Sequence, residues 1–164
     1  MEFSIIIPSH NNYKYCKLTI DSIKKNSSFN HEIIVHINGE DNETENYLKN
    51  ESIIYSKSHD NIGLCSGVNR AYKLSSKSYI LYSHDDMYFL PNWDNALINE
   101  IKNINDNNFY LSMTQISPTG PVKGSLQHIQ FNCGENIDVF NEEKLLQNYM
   151  SFKFNDLQGS HWAP

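Results

Sequence analysis

Long hydrophobic runs are missing from this sequence. Its uninterrupted apolar stretches last only a few residues, against the roughly 20 a bilayer-spanning helix needs, so no membrane span is expected. The opening Met1-Glu2-Phe3-Ser4 has neither a basic start nor an apolar stretch behind it, and so does not read as a signal peptide. Cysteine is scarce: Cys16, Cys65 and Cys133 are odd in number, widely spaced and not matched by histidines at metal-ligand spacing. That excludes a disulfide scaffold and a zinc ribbon, and it points to free, buried thiols in a reducing, cytoplasmic setting. Positive charge is short as well, with 13 Lys and Arg against 19 Asp and Glu and a net charge of −6. With no basic stripe of interleaved aromatics, nucleic acid is excluded as a partner. Internal repeats, low-complexity linkers and composition shifts are also absent, so one domain is expected.

What is present has the composition of a globular chain. With 164 residues, 39% hydrophobic and 20% charged, it can bury a core without staples. An acidic chain that takes an anionic ligand needs a local device to offset its own field, such as a cation or a helix N-terminus.

Residues 3–7 form an almost wholly apolar, β-branched run stopped by Pro8, the pattern of a strand buried on both faces. Residues 31–37, 52–56, 78–83 and 109–115 are further strand candidates. Between them, Cys16, Ile20 and Ile23 fall one helical turn apart, and residues 43–49 predict a short helix. Leu64, Val68, Ala71, Tyr72 and Leu74 share a helix face, and Pro91-Asn92 opens a helix carrying Leu97, Ile98, Ile101 and Ile104. A last helix is expected over 141–150. Strands alternating with helices in this way predict right-handed βαβ units and a mainly parallel sheet. Ligands of such sheets bind beyond the C-terminal strand ends, where the polar clusters 9–12, 38–42, 60–63 and 84–86 gather.

The sharpest of these clusters is Asp85-Asp86. Adjacent carboxylates repel unless a cation or donors offset them, and a hard divalent cation is commonly held by one or two carboxylates plus substrate phosphates. An Asp capping the following turn explains the pair equally well. Asn38-Gly39 reads as a plain turn or as an acceptor for a ligand N–H, and Asp60 or Asn61 as the cap of the helix that follows. Tyr79, Tyr82 and Phe109 are expected to pack in the sheet, while Tyr13, Tyr88 and Trp93 are candidates to stack on a ligand ring. No Gly-x-Gly-x-x-Gly follows a strand, and Gly63 and Gly67 are too few to make a dinucleotide fingerprint.

Taken in order, Ser4-Ile5-Ile6-Ile7-Pro8-Ser9-His10-Asn11-Asn12, then His31-Glu32-Ile33-Ile34-Val35 with Asn38-Gly39, then Asp60-Asn61-Ile62-Gly63 with Asn69, then Tyr79-Ile80-Leu81-Tyr82-Ser83-His84-Asp85-Asp86 with Pro91, resemble the nucleotide-sugar half of family 2 glycosyltransferases. The resemblance covers residues 3–115. It implies an α/β, Rossmann-like GT-A fold with a mainly parallel sheet flanked by helices, in a single domain over 1–164. Residues 1–115 would be the nucleotide-sugar-binding half and 116–164 the start of the acceptor-side region.

The same resemblance implies residue roles. Pro8, Ser9 and His10 would wrap the nucleoside, with Asn38 at the place where an acidic residue usually reads uracil. Asp60, Asn61 and Gly63 would pack beside base and ribose, with Asn69 on the next helix. His84-Asp85-Asp86 matches the signature called DxD, with Ser83-His84 departing from its first acid. Asp86 would be the metal ligand, and Asp85 would face the ribose or share the metal. The implied reaction is an inverting transfer of a sugar from a UDP-type nucleotide-sugar to a hydroxyl of a carbohydrate, lipid-linked or protein acceptor, with manganese or magnesium as cofactor. No catalytic base is assigned, because Glu135, Asp138, Glu142, Glu143 and Asp156 lack the expected surroundings and read as solvated charges. The closing Gly159-Ser160-His161-Trp162-Ala163-Pro164 looks like an acceptor-side segment, with His161 and Trp162 lining it, and on this reading the chain stops short of its full domain. The alternative is a non-catalytic nucleotide-sugar-binding module. A sugar-phosphate nucleotidyltransferase is disfavoured, since Pro8-Ser9-His10-Asn11 stands where a Gly-rich, Arg-bearing loop belongs.

Overall fold

The computed structural model describes residues 1–106, 108–119 and 128–152, and the backbone of 160–162. They fall into two compact units, Met1–Lys24 with Phe29–Met87, and Lys25–Ser28 with Tyr88–Pro164.

The first unit holds β1 (Phe3–Ser9), most of α1 (Tyr13–Asn26), β2 (Glu32–Asn38), α2 (Asn42–Asn50), β3 (Ile54–Ser58), α3 (Leu64–Tyr72) and β4 (Tyr79–Tyr82). Its four strands are all parallel, in the order β3-β2-β1-β4. Every residue of β1 is buried, which is why its sequence runs apolar without alternating. Ile6 packs with Ile34, Ala71 and Val68 under α3, while Ile5 and Ile7, on the opposite face, are equally buried. Pro8 sits inside this central strand without breaking a ladder. Ile6 gives its carbonyl to the Ser83 N–H, so Pro8, two residues on, turns the same backbone edge toward β4, which has already ended. In α1 the buried residues Cys16, Thr19, Ile20, Ser22 and Ile23 make the predicted stripe. At α2, Asp41 caps the helix by accepting from Thr44 N–H at 3.0 Å and Thr44 Oγ1 at 2.6 Å. Strand β3 begins two residues later than expected. The N–H groups of Ser52 and Ile53 turn back to Lys49 and Leu48, and Ser52 is left-handed, so residues 51–53 finish α2 instead of starting the strand.

The second unit contains β5 (Tyr88–Phe89), α4 (Trp93–Asn103), β6 (Thr114–Ser117), β7 (His128–Gln130), α5 (Glu142–Asn148) and β8 (Ser160–Trp162). In its sheet, ordered β5-β8-β6-β7, β6 runs parallel to β7 and β8, and β5 antiparallel to β8. The strand expected over 109–115 is instead β6, confined to Thr114–Ser117 because its partners pair only there; Tyr110, 89% exposed, lies outside the ladder. Tyr88 and Trp93, considered as ring-stackers, are buried; Trp93 stands edge-on to Phe89 and donates its indole N–H to Ser27 Oγ at 3.1 Å. All three cysteines are free, as expected, but Cys65 is exposed. Among the described residues, no helix is long and apolar enough to cross a membrane.

At the N-terminal end of the first sheet, Glu32 ties β2 to β1 and to the turn before β4. It accepts from Ser4 Oγ, from Ser76 Oγ at 2.7 Å and from Ser76 N–H at 2.9 Å. Burial pushes its carboxyl up, but the Ser4 and Ser76 hydrogen bonds and Lys77 outweigh burial and leave it below the usual range. A folded pKa below the unfolded one favours folding fully above about pH 4.3, and that share is lost as pH falls through the lowered value. Denaturant titrations from about pH 6 down to about pH 3 should show stability falling more steeply in the parent chain than in Glu32→Gln.

Candidate functional site

The parallel register brings the C-terminal ends of β1, β2, β3 and β4 to one rim of the first unit. Three of the loops there are bonded together through Asn38. Its Nδ2 donates to Asn61 Oδ1 at 2.9 Å, and its Oδ1 accepts the Ile62 N–H at 2.7 Å. Asn61 Oδ1 also accepts the Gly63 N–H at 2.9 Å. From the β1 side, the His10 Nδ1–H donates to the Asn38 carbonyl. The close approach needs Gly39, at φ +110°, where an added Cβ would stand 3.3 Å from His10 Nδ1.

Beneath this joint lies His36, fully buried. Ser58 Oγ spends its one proton on the Asp60 carbonyl at 2.8 Å, so His36 Nε2–H is the donor to Ser58 Oγ at 3.3 Å, and Ser56 Oγ donates to His36 Nδ1 at 2.8 Å. Burial, and then Arg70, lower the His36 pKa, in keeping with a neutral ring. Gly67 of α3 lies over that ring, where a Cβ would fall 2.9 Å from His36 Cδ2 and 3.7 Å from Pro8 Cβ.

The acidic turn follows β4. Asp85 is half-buried, and burial raises its carboxyl above the usual range; the side chains of Ser9 and Asn12, lying against it, pull the other way, and Asp86 adds to the rise. Thr19 Oγ1, from α1, donates to the Asp85 carbonyl at 2.9 Å and accepts the Met87 N–H at 2.9 Å. Among the described residues, two buried side-chain atoms lack a hydrogen-bond partner of ordinary geometry, Ser9 Oγ and Asp86 Oδ1, and both belong to this rim. A hard divalent cation fits such a pair: one buried carboxylate oxygen that no protein donor satisfies, a second carboxylate beside it, and the remaining shell left to ligand oxygens and water. No group of three or more His, Cys, Asp or Glu gathers as metal ligands among the described residues.

The structure thus joins Ser9 with Asp85, and His10 with Asn38, Asn61 and Gly63. Pro8 lies under α3, and Asn69 is exposed on that helix. Asp60 is different. Its side chain is 86% exposed and pairs with His59 Nδ1 at 3.0 Å. Neither Asp60 nor Asn61 caps α3, whose N-cap is Gly63. The Asn38 oxygen, expected to face a base, is engaged by Ile62. A cleft of about 290 Å³ opens between the β1 and β2 loops, lined by Asn11, Tyr13, Glu40, Asp41, Asn42 and Glu43, and does not include the acidic turn. Of the downstream acids, Glu135, Asp138 and Glu143 are exposed, and Glu142 is taken up by Lys25 and Tyr88; Asp156 lies outside the described residues. His161 and Trp162 belong to β8 of the second unit, and their side chains lie outside the description.

Three residues escape the sequence reading: Thr19, His36 and Ser58. Thr19 carries the one available signal, a polar side chain between the apolar members of the α1 stripe. Truncating Asn38 to Ala should leave the Ile62 N–H without its acceptor, take from Asn61 Oδ1 one of its two donors, and cost about 1–3 kcal/mol of unfolding free energy in urea titration.

The chain matches Glycosyl transferase family 2 over residues 4–159. No curated protein matches it. Among solved structures it is similar to S. aureus TarS, with 20% identity and a TM-score of 0.56, over 69% of this chain and 24% of that one. It is also similar to S. aureus TarS 1-349 in complex with UDP-GlcNAc, with 20% identity and a TM-score of 0.57, over 69% of this chain and 38% of that one. For TarS 1-349 in complex with UDP the values are 20% and 0.55, over 69% and 39%. The chain therefore spans between about a quarter and two-fifths of the length of these proteins. The likeness establishes the mainly parallel, helix-flanked GT-A arrangement.

Proposed function

The chain belongs to glycosyl transferase family 2, and from that premise we propose that the rim of its first sheet binds a UDP-type nucleotide-sugar for transfer of the sugar to an acceptor hydroxyl. The observation that carries this reading is Asp86 Oδ1, a buried carboxylate oxygen without a hydrogen-bond partner, in a turn where Asp85 supplies a second carboxylate. Buried polar atoms without partners are rare, and a ligand that completes them explains their placement. The structures of TarS 1-349 with UDP and with UDP-GlcNAc support a donor of that class.

In this reading the His10–Asn38–Asn61 joint holds the loops that flank the nucleoside, and Ser9 with Asp85 faces the ribose or diphosphate side. Asp86, with Asp85, would hold manganese or magnesium, which when bound supplies positive charge against the departing diphosphate. The chemistry is a single displacement with inversion: the acceptor oxygen bonds to the anomeric carbon as the bond to the diphosphate oxygen breaks, and a base takes the hydroxyl proton. A second reading, a nucleotide-sugar-binding module without turnover, is favoured by the downstream acids, which among the described residues are exposed or paired.

Calorimetric titration of UDP, with and without manganese, tests the donor site. The expected outcome is binding tightened by manganese, with the tightening lost in Asp86→Ala. Absence of binding by the folded chain overturns the reading. Release of UDP from UDP-GlcNAc in the presence of acceptor separates the transferase from the module.

A further inference from the structure

One buried side chain grips both flanks of the acidic turn and has no part in the displacement itself. Thr19 is fully buried on α1. Its hydroxyl gives its proton to the Asp85 carbonyl and takes the Met87 N–H on a lone pair, both at 2.9 Å. A helical threonine commonly folds its hydroxyl back on a carbonyl of its own helix; here both bonds reach across to the turn. Asp86 stands between the two anchored peptide groups, and its Oδ1 is the buried carboxylate oxygen left without a donor. Anchoring the backbone before and after one residue removes most of its freedom, so Asp86 is held in one place against the repulsion of Asp85. Its β-branched Cβ restricts the Thr19 rotamer, so the grip is itself stiff.

We propose that Thr19 is a positioning residue of the donor site: it fixes the Asp85–Met87 turn so that Asp86 meets a divalent cation bound together with a nucleoside diphosphate. The inference rests on the donor-site reading above. Thr19 touches neither the reacting atoms nor the cation and acts through the turn.

The test is titration of manganese into the full chain at saturating UDP, followed by the electron paramagnetic resonance signal of the free ion. Alongside it, UDP affinity is measured without metal. Thr19→Val keeps the shape and removes both hydrogen bonds, and is expected to weaken manganese binding by about tenfold or more, the scale seen when a group supporting a metal ligand is lost. Metal-free UDP affinity stays within about twofold, and Thr19→Ser, which restores the hydroxyl, recovers manganese affinity to the same margin. Glu32→Gln, at the opposite end of the strands, controls for lost stability and leaves manganese affinity unchanged. If the parent chain shows no manganese-dependent binding, the donor-site reading fails and the inference falls with it. A parent chain that binds manganese while folded Thr19→Val matches it overturns the inference alone. A parallel loss of metal-free UDP binding also overturns it, because that marks general disruption. Where Thr19→Val does not fold, Thr19→Cys, of similar volume with only a weak donor, takes its place, and unchanged manganese affinity in it overturns the inference.

Discussion

A strand buried on both faces tolerates no unpaired polar group along its length, so polar chemistry is pushed to where the strand ends. β1 obeys this over its apolar residues and closes on Ser9, which is buried and yet makes no ordinary hydrogen bond. Because the other three strands of the sheet run parallel to β1, their ends arrive at the same rim. Parallel pairing thus turns a burial constraint into a site: the loops must pair their polar groups with one another or leave them for a ligand. Around Asn38 they pair with one another; around Asp86 they do not.

The two halves of the rim solve different electrostatic problems. The chain carries a net charge of −6, and Asp85 and Asp86 concentrate negative charge where an anionic ligand is proposed to sit. Burial raises the Asp85 carboxyl above its usual range, and the neighbouring Asp86 adds a smaller push in the same direction. Left to itself the turn would relieve both by opening to water. Thr19 holds it with two hydrogen bonds from a helix whose buried stripe anchors it in the core. Rigidity in the turn is then supplied by hydrophobic burial of α1, not by the acids.

The sequence is legible where local pattern and tertiary demand coincide. The apolar run of β1, the spacing of Cys16, Ile20 and Ile23, and the short helix after the polar cluster 38–42 are local signals, and the first unit follows them. β6 is a different case: partners distant in sequence set its length, so residues 109–113 look like strand and lie outside β6 as described. Tyr88 and Trp93 read as ring-stackers because an aromatic beside a polar cluster looks available, yet both fill the second unit's core. The pairing of Asn38 with Asn61 and Ile62 was equally hidden, since it depends on β2 and β3 being adjacent and in register. Thr19 is hidden in the sequence for another reason. In a helix stripe a buried threonine reads as packing, and only its partners 66 and 68 residues away show otherwise.

The neutrality of Asn38 follows from the same geometry. Its side chain must donate to Asn61 Oδ1 and accept from Ile62 N–H at once, which an amide does and a carboxylate cannot. An acid in that place would set its oxygen against the Asn61 oxygen that also holds the Gly63 N–H, and would add a buried charge to a rim already carrying two carboxylates. His36, kept neutral by burial beneath the joint, brings no positive charge that could compensate. At the rim of the first unit, two adjacent carboxylates stand at Asp85-Asp86, and the loops after β2 and β3 form a neutral hydrogen-bonded bracket. That division suits a ligand whose charge lies at one end and whose hydrogen-bonding ring lies at the other, as in a nucleoside diphosphate: a cation bridges the charged end to the acids, and the bracket holds the loops beside the ring.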